Sequence, residues 1–176
     1  MSTSLYQPLP VLTTKPTAYP GCCLALSTPL LEFFQNILPS NPDVAISVGS
    51  GYGLLEALLN KPPYNTNITG IEVAPSSNKY LPHANHRVVH GSRFLEPLAA
   101  EATTWLFVYP RRVGLVEEYM AQYGSGKITR IIWAGPKADW QDYECCFAGW
   151  SMDIRSAEEI GGRVWELIVV ADKLPA

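Results

Sequence analysis

The stretch Val44-Ala45-Ile46-Ser47-Val48-Gly49-Ser50-Gly51-Tyr52-Gly53 constrains the chain more than any other, because Leu54-Leu55-Glu56-Ala57-Leu58-Leu59 follows at once. A short β-branched run that ends in alternate glycines and turns into a leucine-rich segment reads as strand, tight turn and helix. Such a turn brings bare backbone against a ligand. Glycine suits it by permitting positive φ and by lacking a Cβ, while the start of the helix offers unpaired N–H groups.

Spacing narrows the ligand. A dinucleotide turn has the pattern G-x-G-x-x-G/A, which lets the helix close on a pyrophosphate, but the sixth position counted from Gly49 is Leu54. A nicotinamide-dependent reductase is therefore disfavoured. A second strand-like run, Ile68-Thr69-Gly70-Ile71-Glu72-Val73, places a carboxylate nineteen residues after Gly53. In a parallel sheet that is where an acceptor for two ribose hydroxyls belongs. A strand-end glutamate taken alone is most often only solvated, and it is the joint spacing of glycine turn and acid that points to a nucleoside.

The chain has 176 residues, 47% hydrophobic and 16% charged, enough for one buried core and too few for two ordinary domains. One domain spanning 1–176 is expected. No apolar run approaches a membrane span, and Met1-Ser2-Thr3-Ser4 lacks the layout of a signal peptide, so cytosol or nucleus is the expectation. A net charge of −3, with Arg111-Arg112 as the adjacent basic pair, disfavours nucleic acid as the main partner and gives no sign of a membrane. The four cysteines form two vicinal pairs, Cys22-Cys23 and Cys145-Cys146, which match neither C-x-x-C redox nor zinc spacing and read as buried reduced thiols. His83, His86 and His90 carry no neighbouring Cys or carboxylate cluster in sequence and read as loop histidines, so no metal is expected.

Residues 1–26, with prolines at 8, 10, 16 and 20, read as an extended arm that covers part of the surface or caps a pocket. Ser27 or Thr28 caps an amphipathic helix that stops at Pro39. After the second strand, Ala74 to His86 has no helical face, so its crossover helix is one turn or missing. Arg87-Val88-Val89-His90 is a third strand, 95–102 suits a helix, and Thr104-Trp105-Leu106-Phe107-Val108-Tyr109 is a strand buried on both faces. A helix over Val113 to Tyr123 and a strand over Ile128 to Ala134 follow. The tail holds Trp150 to Ser156 and Arg163 to Val170 on either side of an acidic segment and Gly161-Gly162, suggesting an antiparallel return. Trp105, Trp133 and Trp165 read as core.

A Gly49 to Gly53 turn, an acid at Glu72 and an antiparallel finish together resemble the class I, Rossmann-like S-adenosylmethionine-dependent methyltransferases, over about residue 27 to the end. The resemblance implies an α/β fold with a mostly parallel seven-stranded sheet, an antiparallel last strand and abbreviated helices on both faces. It implies S-adenosylmethionine as cofactor, held by Gly49, Ser50, Gly51, Tyr52, Gly53, Glu72, Val73 and Ser92. The match departs in two places where the family tends to carry acids: here Ser47 precedes the turn and Ser92 follows the third strand. Tyr109-Pro110-Arg111-Arg112 also lacks the Asp/Asn acceptor of the amino-group methyltransferases, which counts against an exocyclic base amine.

Methyl transfer from a sulfonium is an in-line displacement from an activated donor, so positioning and exclusion of water supply most of the rate. A chemical group, if one acts, belongs at the carboxyl ends of the fourth and fifth strands, which brings forward Tyr109, Arg111, Trp133 and Asp139. Tyr109 could orient a nucleophile or take its proton, and Arg111 could pair with an anionic substrate; both are the catalytic candidates. Two functions remain open: methyl transfer to a small-molecule or protein acceptor, or a methyltransferase-like module without turnover that binds or regulates a partner. Oligomeric state is not legible.

Overall fold

The computed structural model describes residues 6–91 and 93–176, and all structural statements below concern these residues. Among them lie nine strands: β1 (Thr17–Tyr19), β2 (Cys22–Leu26), β3 (Ala45–Val48), β4 (Ile68–Val73), β5 (His86–Val89), β6 (Thr104–Val108), β7 (Arg130–Pro136), β8 (Trp150–Ser156) and β9 (Glu166–Lys173). Four α-helices accompany them, α1 (Thr28–Ile37), α2 (Leu54–Asn60), α3 (Val113–Tyr123) and the single turn α4 (Trp140–Tyr143). β1 and β2 form a hairpin of their own. The other seven make one sheet in the order β5-β4-β3-β6-β7-β9-β8, parallel except that β9 runs antiparallel to both β7 and β8.

Alternation along the central strands sorts the core into two layers. Trp105 and Phe107 point to one face, where Tyr119 of α3, Trp133, Trp140 and Phe147 join them. Leu106 points to the other, against Leu30, Leu31 and Phe34 of α1 and Leu54, Leu55 and Leu59 of α2. The near-continuous apolar run of β6 follows from this double burial. β9 inserts between β7 and β8 with Arg130 opposite Asp172, and the two side chains form a paired contact at 2.7 and 3.0 Å. Arg130 also donates to the carbonyl of Ile37 at 2.9 Å, fixing the end of α1 to the sheet.

Several expectations need correction. The arm is not extended throughout: its 17–26 portion is the β1-β2 hairpin, turned at Pro20-Gly21. The helix over 95–102 is reduced to a 3-10 turn, Pro97–Ala100, begun by Pro97 and Glu96, whose side chain accepts from Leu98 N. Trp165 lies just before β9 and is 55% exposed, so it is not core, unlike Trp105 and Trp133. The thiols are free, but Cys23 and Cys145 are exposed and Cys22 and Cys146 only half-buried. Between β4 and β5 the crossover contains a single 3-10 turn, His83–Asn85, as the missing helical face foretold.

Ser27 is the cap of α1, and its fully buried hydroxyl does two jobs. It accepts from Leu30 N at 3.2 Å and donates to the Gly161 carbonyl at 2.6 Å, linking the start of α1 to the turn before β9. Ser27→Ala removes an N-cap and leaves that carbonyl without its donor, so urea unfolding should show a loss of about 1–3 kcal/mol. A loss below ~0.5 kcal/mol, the ordinary size of a surface change, would contradict the double role.

Candidate functional site: the glycine turn and the carboxylate of Glu72

The carboxyl ends of β3 to β7 share one edge of the sheet, and the glycine turn stands at its centre, where the strand order reverses. Gly49, Gly51 and Gly53 all have positive φ, at 80, 59 and 76°. At Gly53 space is also limiting, since a Cβ would fall 2.8 Å from Leu81 and 2.9 Å from Asn78. Gly49 N and Ser50 N both donate to the Ile71 carbonyl, at 2.9 and 3.0 Å, which fastens the turn to β4.

Glu72 completes the fastening. Its Oε2 accepts from Gly51 N at 2.7 Å and its Oε1 from Val73 N at 2.9 Å. The two anchors found in sequence thus touch. A carboxylate oxygen has two acceptor positions, so each keeps one beyond its backbone donor. Glu72 is half-exposed, Val73 is exposed, and the position of a Cβ on Gly49 has nothing within 4 Å. The side of the turn toward Gly49 and Glu72 is open.

The opposite side is covered. Gly21, at the tip of the hairpin, lies so close to Tyr52 that a Cβ there would sit 2.1 Å from the ring, and its carbonyl is 3.1 Å from a Cβ placed on Gly51. Lys79 Nζ lies 4.0 Å from the centroid of the Tyr52 ring. The dipeptide Pro20-Gly21 is a turn signal that could have revealed this hairpin.

Ser47, in place of the acid before the turn, is not without one. Its hydroxyl donates to Glu56 Oε1 at 2.5 Å, and Glu56, on α2, is only 2% exposed with its Oε2 lacking a partner. A carboxylate in the middle of Leu54-Leu55-Glu56-Ala57-Leu58-Leu59 was the available signal, since an acid on an otherwise apolar helix face seldom lacks a reason. Burial pushes the Glu56 carboxyl up to about 7, against the smaller opposing effect of the Ser47 hydrogen bond.

Tyr109 follows β6 with φ at 49°, a left-handed conformation that costs a non-glycine residue roughly 1–3 kcal/mol. Its N–H donates to Ala134 O at 2.6 Å and its hydroxyl to Glu166 Oε1 at 2.8 Å. Burial, then the bond to Glu166, hold the phenol proton far above its ordinary range. Glu166 is wholly buried and also accepts from Ala25 N at 3.3 Å and Arg163 N at 3.4 Å. Arg111 is exposed. Its neighbour Arg112, which the sequence did not single out, makes a two-pronged contact with Glu118 at 2.9 and 2.9 Å. Arg93, Leu95, Arg112 and Glu118 line a cavity of about 480 Å³ beyond the ends of β5 and β6. Of the remaining candidates, Trp133 is core, packed on Trp140 and Tyr143, and Asp139 is exposed. Ser92 lies outside the described residues. The ligand atoms of His83, His86 and His90 do not converge among the described residues.

The sheet order, the central glycine turn and the inserted antiparallel strand define a class I methyltransferase fold. Among solved structures, the chain is similar to a precorrin-6y C5,15-methyltransferase from Geobacter metallireducens, at TM-score 0.62 and 11% identity over 91% of this chain and 94% of that one. It is also similar to the methyltransferase domain of bacterial CtHen1-C, at TM-score 0.58 and 15% identity over 83% and 95%. A third similar structure, MtNAS in complex with MTA and tNA, has TM-score 0.55 and 17% identity over 84% and 61%. No family model matches the chain, and no curated protein matches its sequence.

Because the Glu56 proton is held more tightly folded than unfolded, the folded protein binds more protons between pH 4.5 and about 7. Stability therefore falls as pH rises through that window, by up to ~1.4 kcal/mol per unit. Glu56→Gln removes this slope. The stability of the variant minus that of the wild type, from urea unfolding, should rise from pH 4.5 to 7 and level off above; a difference independent of pH would refute the assignment.

Proposed function

We propose that this protein binds S-adenosylmethionine over the 49–53 turn and transfers its methyl group to a small-molecule or protein acceptor. The contact between Gly51 N and Glu72 Oε2, at 2.7 Å, carries the reading, because it joins a glycine-rich turn to an acceptor suited to ribose hydroxyls. The open side at Gly49 and Glu72 suits a nucleoside, with Ser50, Tyr52, Gly53 and Val73 framing the turn. Two structures of similar fold described as methyltransferases support the reaction class, and the structure of MtNAS in complex with MTA, also similar in fold, supports an adenosyl ligand.

Catalysis in this reading is positioning. The proton of Tyr109 is committed to Glu166, so Tyr109 serves as a fixed wall beside the reacting atoms and not as a base. Arg111 is the exposed cation nearest in sequence to that wall and would meet an anionic acceptor. Tyr109-Pro110-Arg111-Arg112 offers no side-chain acceptor for an amine, which favours acceptors other than nucleic acid bases.

A second reading has its own observation. The Gly21 carbonyl stands 3.1 Å from a Cβ placed on Gly51, and a binding module without turnover accounts for a turn covered on that side. Binding and turnover separate the two.

Calorimetric titration with S-adenosylhomocysteine should give saturable heat with one site per chain. Glu72→Gln removes a charged acceptor worth about 1.5–3 kcal/mol, so affinity should fall roughly 10- to 100-fold with the circular dichroism spectrum retained. No heat at millimolar ligand would overturn the proposal. Binding without methyl transfer to any acceptor in a panel of small molecules and peptides would favour the second reading.

A further inference from the structure

The turn after α4 carries chemistry that the glycine-turn site does not use. Glu144–Phe147 forms a 3-10 turn whose two ends are anchored independently of its cysteines. On one side Tyr143 donates to the Pro110 carbonyl at 2.7 Å; on the other, fully buried Phe147 stacks on Trp140 with ring centroids 5.6 Å apart. Between these anchors Cys145 is exposed and Cys146 half-buried, and Glu117 of α3 comes to meet them. One ligand atom from each of Glu117, Cys145 and Cys146 lies within 4.8 Å of the other two.

We propose that Glu117, Cys145 and Cys146 form a binding site for a thiophilic divalent cation of the zinc class. Two sulfurs select soft or borderline metals over magnesium and calcium. Metal–sulfur bonds of ~2.3 Å and metal–oxygen bonds of ~2.0 Å put the ligand atoms of a tetrahedral site roughly 3.3–3.8 Å apart, so the exposed Glu117 and Cys145 need move only about an ångström toward the half-buried Cys146 to close the site. Three protein ligands leave a fourth position for water. The exposure of Glu117 and Cys145 gives the ion a path from solvent, and the ion would bind α3 to the segment following β7. The vicinal pair Cys22-Cys23 has no comparable carboxylate partner among the described residues.

The test uses the full chain, stripped of metal and kept reduced by a phosphine. Titration with cadmium should raise a thiolate-to-metal charge-transfer band that saturates at one ion per chain, and zinc should displace cadmium and raise the thermal midpoint. Cys145→Ser, at an exposed position, should abolish the band while preserving the fold. Glu117→Gln should weaken binding at least roughly tenfold, since even outer-shell changes at metal sites cost about 10–100-fold. Cys23→Ser should leave binding unchanged. The proposal is overturned if reduced protein shows no stoichiometric band, if the band survives Cys145→Ser, if it is lost in Cys23→Ser, or if Glu117→Gln binds as the wild type does.

Discussion

The acceptance of the Gly51 N–H by the Glu72 carboxylate is the contact on which the rest of the molecule depends. It joins the ends of two adjacent parallel strands at the point where the sheet reverses its order, and the Ile71 carbonyl beside it holds Gly49 and Ser50 in the same grip. Backbone donors of the turn that would otherwise require water are thereby satisfied by one carbonyl and one carboxylate. The Gly49 side of the turn is open, with nothing within 4 Å of a Cβ placed there, and the carboxylate that shapes it still has acceptor capacity to spare.

Two other carboxylates are buried, and both are held by hydrogen bonds. Glu56 is held by the Ser47 hydroxyl and by a raised proton affinity; Glu166 is held by the Tyr109 hydroxyl and two backbone N–H groups. Burial of an ionised carboxylate is costly unless it is compensated, so each serves as evidence that its donor is fixed in place. For Tyr109 the consequence is chemical. A phenol whose proton is committed to Glu166 and whose backbone is left-handed is placed to shape a pocket and is poorly suited to remove a proton. The hydroxyl–acid pair at 47 and 56 keeps a carboxyl at the base of the turn, although the strand contributes only a serine.

Much of this was legible one segment at a time. The β-branched run before Gly49, the apolar continuity of Thr104–Val108 and the cap at Ser27 each express a local rule, periodicity or capping, and the structure obeys them. The remainder is non-local. Glu56 reads as one polar residue on a leucine-rich helix until the sheet places Ser47 beside it. Arg112 and Glu118 are six residues apart, outside the usual helical pairing interval, and meet because Arg112 lies ahead of the first turn of α3. Trp165 sits in a run of strand-forming residues, but pairing with β7 begins only at Glu166, and the side chain before that register is left in solvent. The β1-β2 hairpin is three residues against five in a proline-rich arm, too short for alternation to declare it.

The sequence by itself determined the strand-turn-helix unit at 44–59, the acid at 72, the approximate positions of the seven sheet strands and the class of fold they build, because these rest on side-chain period and on the backbone freedom of glycine. Tertiary structure alone decided the register in which β9 pairs with β7 and β8, that Gly21 would cover one side of the turn, that α2 would return an acid to Ser47 and that α3 would bring Glu117 to two distant thiols. Register and chain crossing set those distances, and neither is encoded in any window short enough to read.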